Sequence, residues 1–298
     1  VIYSRLSQIP ELSTQLLSWL HQPLIIFVLV ASFFLMPINW GIESYKWKLV
    51  TQQVESIPYT TALKSVFMGI CLGNIAPGRA MEFLGKIYFF KSENKPSVTI
   101  LHFINGMFQM LITVLVGISA IAYKFQLVHS SAQLVYSIIV FGIVLIIFFC
   151  LAILNVSTIQ RKLKFIKWFK FSDSTQQLSF SKMLLLKLVV LSMLRYFVFS
   201  FQFYLVYRVL SLPMPVMQMA SSIAVYFMLT SLIPMISFIE PAIRAAIALF
   251  VFNQVNDSYI SVVLSATLLW FINVVLPSII GYLIILKAKI NFNIKNGI

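Results

Sequence analysis

The stretch CLGNIAPGRAMEFLGKIYFF, residues 71–90, decides how the chain is read. It lies within a very apolar sequence, yet it carries Arg79, Glu82 and Lys86 directly after a Gly-Asn…Pro-Gly break. Proline supplies no backbone N–H and ends a helix. Non-helical backbone at membrane depth is tolerated only where protein or a watery cavity satisfies it. A short apolar helix broken at this point therefore implies a polar hollow beside the break, with Asn74, Pro77, Arg79, Glu82 and Lys86 as its candidate wall. Glu82 and Lys86 are four residues apart and share a helix face.

The surrounding composition defines the environment. Of 298 residues, 60% are apolar and only 10% charged, whereas a soluble domain is about a quarter charged. A hydrocarbon core of about 30 Å takes roughly 20 helical residues. Runs of that kind recur over residues 23–40 (continuing through 41–50), 96–123, 130–156, 183–210 and 258–286, the last kinkable at Pro277. Two shorter apolar helices, 59–74 and 216–233, end at breaks and resume over 80–91 and 241–252. Residues 1–22 form an amphipathic segment expected at the membrane interface. Residues 157–182 are the one long polar stretch. There Ile159, Leu163, Ile166 and Phe169 recur at helical spacing among Arg161, Lys162, Lys164, Lys167 and Lys170, which fits either a basic interfacial helix or an ordinary positively charged loop.

The net charge of +14 does not point to nucleic acid, because the basic residues sit at the ends of apolar runs, where they set topology and meet lipid headgroups. Cys71 and Cys150 lie in apolar segments and make no disulfide framework. His21, His102 and His129 match no ligand spacing, so neither metal nor cofactor is expected. Lys46 and Lys48, then Lys86, Lys91 and Lys95, the 161–170 cluster, and Lys287, Lys289 and Lys295 favour the cytoplasm, which also places the C-terminus there. Lys124, Arg208 and Asp257 fall outside. On this path the 59–91 pair enters and leaves from the cytoplasmic side, and the 216–252 pair from the outer side.

That path exposes a repeat. TSLIPMISFIEPAIRAAIALFVF, residues 230–252, restates the first break. Pro77 precedes Glu82 and Lys86; Pro234 precedes Glu240 and Arg244. The expected fold is an all-α polytopic membrane protein, a helical bundle with two re-entrant broken-helix hairpins forming an inverted-topology repeat. It is one transmembrane domain over 1–298: an interfacial segment 1–22, a first repeat with its linking span 23–156, a basic cytoplasmic segment 157–182 and a second repeat 183–298. Such repeats place substrate at the helix breaks near the midplane. A satisfied ion pair on a packed helix is the plainer reading of either Glu–cation pair alone. Arg195, well inside its span, is a further candidate for contact with a phosphate or carboxylate, with Glu82 or Glu240 as its expected counter-charge.

At these residues the chain resembles the lysylphosphatidylglycerol synthase transmembrane-domain family of flippase-like integral membrane proteins. The matching stretches are INWGIESYKWKLV (38–50), GNIAPGRAMEFLGKIYFF (73–90) and SLIPMISFIEPAIRAAIALF (231–250). The resemblance implies a multi-pass protein of a bacterial or archaeal plasma membrane that moves lipids between leaflets, aminoacylated phosphatidylglycerol in its best-known members. It would put the cavity motif on Pro77, Arg79 and Glu82 and the second motif on Pro234 and Glu240. The chain departs at Met81, where the family often has Gly, and at a second break without glycine. A further span is expected upstream of Val1, and the synthase reaction of longer relatives is not expected here.

The expected function is a lipid flippase moving an anionic or aminoacylated phospholipid, or a lipid-linked substrate. Expected partners are membrane phospholipids or that substrate, and no nucleic acid; self-association is left open. The alternative is a membrane-embedded transferase with Glu82 or Glu240 as base, weakened by only eight acids and no D-x-D or H-E-x-x-H motif. A scaffold acting through 157–182 is the third reading.

Overall fold

The computed structural model describes residues 22–75, 79–125, 132–163, 177–210, 214–235, 239–252 and 259–288. The expected segment over 1–21, residues 164–176 of the basic stretch, Pro77, and residues 236–238 of the second break lie outside the described residues. In chain order the helices are α1 (Pro23–Thr51), α2 (Tyr59–Gly73), α3 (Glu82–Ile87), α4 (Lys95–Phe125), α5 (Ala132–Leu154), α6 (Val156–Leu163), α7 (Lys182–Leu210), α8 (Val216–Leu232), α9 (Glu240–Phe252), α10 (Tyr259–Trp270) and α11 (Leu276–Lys287). A π-helical turn, Phe271–Val275, joins the last two. Five stretches among the described residues are long and apolar enough to cross a membrane: α1, α4, α5, α7 and the continuous run from Tyr259 to Lys287. The chain is an all-α polytopic membrane protein.

One face of α5 carries Tyr136, Val140, Phe141, Val144, Phe148 and Leu151 exposed. Such a face suits acyl chains, because lipid solvates it as well as a protein core does.

Two long helices form the spine. α1 and α7 pack antiparallel along their length, and polar side chains mark the seam. Lys46 donates to Ser192 at 3.0 Å, Arg195 to Asn39 at 2.9 Å, and Gln202 to the Ser32 carbonyl at 2.7 Å. As the α1 number falls, the α7 number rises. Apolar residues divide into two main clusters around this spine. Trp47, Val50, Val66, Ile70, Leu101 and Leu188 belong to one, around α2 and the start of α4. Val28, Phe203, Tyr207, Tyr226, Ala248 and Phe252 belong to the other, around α8 and α9.

Each short helix pair folds back on itself. α3 meets α2 at backbone distance, because a Cβ on Gly85 would collide with the Gly69 and Met68 backbone. Ser65 of α2 donates to the Lys86 carbonyl of α3 at 2.6 Å, and accepts from the Trp47 indole at 3.1 Å. α3 is shorter than the 80–91 helix expected from sequence. The Glu55 carboxylate ends it by accepting from the Lys91 backbone N–H at 3.2 Å and from Asn94 at 2.8 Å, holding the chain in a turn. The second pair, α8 and α9, also pack together.

The packing of the two pairs is reciprocal. α2 lies along α11, which follows the second pair, and α8 lies along α4, which follows the first. The α2–α11 approach is close enough that a Cβ on Gly281 would strike the Phe67 carbonyl. Pro277, the expected kink point, follows the π turn. It has no N–H to offer the Asn273 carbonyl, and the Leu276 N–H reaches back to the Phe271 carbonyl instead. This register slip is a π-bulge of the kind found at functional sites.

Candidate functional site

The inner face of α1 buries Asn39, Trp40, Glu43, Lys46 and Trp47, a three-and-four spacing that aims them at one side. Glu43 is the hub. Its carboxylate meets Arg195 of α7 at 3.1 Å, Lys86 of α3 at 3.2 Å and Lys46 at 3.5 Å. It also accepts from Asn105 of α4 at 2.9 Å. Four helices therefore converge on one acid. Lys86 is shared with Glu82 at 3.0 Å, and Glu82 in turn lies 3.9 Å from Arg79. The network holds four cations, Lys46, Arg79, Lys86 and Arg195, against two carboxylates, Glu43 and Glu82.

Two sequence expectations change here. Arg195 does not pair with Glu82 or Glu240; its carboxylate partner is Glu43. The antiparallel α1–α7 seam brings Glu43 and Asn39 opposite Arg195, ahead of either hairpin. The guanidinium also lies over Trp40 and Phe199, at 4.8 and 5.4 Å from the ring centroids. Lys46, read as a cytoplasmic topology signal, is fully buried and anchored by Glu43 and Ser192. Glu43 went unmarked as a site residue, although a carboxylate three residues before a lysine within an apolar run was the available signal.

At the first break, Asn74 caps α2 and its side-chain amide donates to the Ser278 hydroxyl of α11. Arg79 has φ 58°, a left-handed conformation that costs a non-glycine residue about 1–2 kcal/mol. At the second break, α8 ends at Leu232, and Ile233 is extended, as the residue before a proline prefers. Pro234 is exposed. Glu240 opens α9 and is buried. Arg244 grips one of its oxygens twice, from Nη2 at 2.7 Å and Nε at 2.8 Å.

A cavity of about 220 Å³ lies between these elements. Arg79 reaches it from the first break, Arg244 from the second pair and Arg195 from the spine. Asn273, carried by the π turn, lines it too and donates to Gln202 at 2.8 Å. Glu82, Lys86, Glu240 and Asn74 are not on the wall. Each arginine facing the hollow has a glutamate behind it: Glu82 behind Arg79, Glu43 behind Arg195, Glu240 behind Arg244. The three guanidiniums offer forked donors suited to phosphate or carboxylate. Among the described residues, no three His, Cys, Asp or Glu side chains converge as a metal site would require.

The family model described as the lysylphosphatidylglycerol synthase TM region matches residues 8–281, most of the chain. No curated protein matches it.

Proposed function

The chain belongs to the lysylphosphatidylglycerol synthase TM region family, and from that premise we propose that it moves a polar-headgroup lipid between leaflets. The headgroup passes through the cavity while the tails stay in the bilayer. The observation that carries this reading is the origin of the wall: Arg79 and Arg244 come from two separate broken helix pairs and meet Arg195 of the spine around one hollow. A charge at the bilayer centre costs about 2.5–3.5 kcal/mol on insertion scales. A set of them around an open space has a use that a closed ion pair lacks.

In this reading α2–α3 and α8–α9 are re-entrant hairpins inserted from opposite faces, and residues 23–156 and 183–298 are inverted repeats. The reciprocal packing of α2 on α11 and α8 on α4 supports that symmetry. Asn74 and Pro234 shape the breaks. Glu82 and Glu240 hold Arg79 and Arg244, and Lys86 anchors Glu82 from behind the wall. Glu82 and Glu240, the candidate bases of a transferase, are each tied to a cation, which suits positioning better than proton abstraction.

Reconstitution tests the proposal. Vesicles containing the full chain should translocate fluorescent phospholipid faster than empty vesicles, and Arg195→Gln should abolish the gain. Equal rates with and without protein, across several headgroups, would overturn it.

A further inference from the structure

The cavity wall carries three arginines and no aspartate, glutamate or lysine among the residues that line it. The carboxylates that partner those arginines are set back from the hollow, and the network around the first break has two cations more than carboxylates. Buried charge in excess calls for a counter-charge. The rings of Trp40 and Trp270 line the cavity, but their indole nitrogens are buried away from its accessible surface.

The aromatic wall does not reverse this preference. Aromatic faces attract ammonium groups, but Arg195 already lies over Trp40 and Phe199. A second cation would meet that guanidinium first. The cavity, about 220 Å³, has room for a phosphate group.

Resting on the transport reading of the same cavity, we propose that its ligand is the phosphate of an anionic lipid headgroup, and that the site disfavours headgroups carrying an ammonium, aminoacylated ones included. Arg79, Arg195 and Arg244 supply the charge and the forked N–H donors that fix the phosphate oxygens.

The test uses the full chain in detergent micelles, with the thermal midpoint read against added phosphatidylglycerol, phosphatidic acid, phosphatidylcholine, lysylphosphatidylglycerol or inorganic phosphate. The two anionic lipids should raise the midpoint saturably, and the other two lipids should not. The double variant Glu240→Gln/Arg244→Gln, which leaves no unpaired buried charge at the second pair, should weaken the apparent affinity for phosphatidylglycerol roughly tenfold, the scale of one hydrogen bond to a charged group. Lysylphosphatidylglycerol protecting as well as phosphatidylglycerol, or the double variant binding like wild type, would overturn the proposal. Protection by inorganic phosphate that phosphatidylglycerol cannot displace would overturn its lipid assignment. Failure of the transport reading looks different: saturable, Arg244-dependent phosphatidylglycerol binding persists while vesicles translocate no lipid.

Discussion

The two broken helix pairs share a motif and differ in what surrounds it. The first is tied into the spine. Its Lys86 bridges Glu82 and Glu43, its Ser65 bonds Trp47, and Gly85 lets α3 rest on the α2 backbone. The second has a local ion pair, Glu240–Arg244, set against an aromatic cluster of Phe203, Tyr207, Tyr226 and Phe252. Ring stacking packs densely but fixes no direction as a branched charge network does. The same local sequence can thus serve as a rigid wall in one place and a more adjustable one in another. The difference comes from the neighbouring long helix: α1 offers Glu43 to the first pair, whereas α7 offers Phe203 and Tyr207 to the second.

The sharpest way to break this comparison is at the two acids. Glu43→Ala strands Lys46, Lys86 and Arg195 without their shared carboxylate. Removing one partner of a buried pair costs about 3–5 kcal/mol, so this variant should lose most of its thermal stability in detergent. Glu240→Ala strands only Arg244, which is partly exposed, so its midpoint should fall by less than half as much. Equal losses would remove the distinction.

A smaller effect sharpens it. Gly85→Ala forces α3 away from α2, and overpacking of this kind costs about 1–3 kcal/mol. Hydrogen exchange should speed up in α2 and α3 and remain unchanged in α8 and α9. Asn74→Ala should cost about 1 kcal/mol by removing one hydrogen bond to Ser278, read as a modest fall in midpoint. The smallest change has the opposite sign. Arg79→Gly relieves the left-handed strain and should raise stability by up to about 1 kcal/mol, while reducing lipid translocation. A drop in stability would mean that the 3.9 Å contact between Arg79 and Glu82 holds the break together.

Much of the architecture was legible because it follows from length and hydropathy. The five long apolar runs became the five spanning stretches, and the two short helices stopped within one residue of the expected ends. The Glu82–Lys86 and Glu240–Arg244 pairs followed from helical spacing alone and are present. The partner of Arg195 was not legible, because it depends on which helix packs across the spine, and period and composition carry no such information. Lys46 was misread for a related reason. A lysine near the end of a span ordinarily snorkels to water, and only Ser192 across the seam, with Glu43 one turn back on the same helix, turns it inward. The side of the cavity taken by each charge was equally hidden: the motif names Glu and cation together, and the fold decides that the arginines face the hollow.

The central claim is that the two broken pairs and the spine enclose one anion-accepting hollow, and a density map of the protein in phosphatidylglycerol nanodiscs tests it most directly. The account predicts headgroup density among Arg79, Arg195 and Arg244, with its acyl chains leaving the bundle into the bilayer. Ordered lipid confined to outer faces such as that of α5, with side chains closing the space between the three arginines, would contradict it.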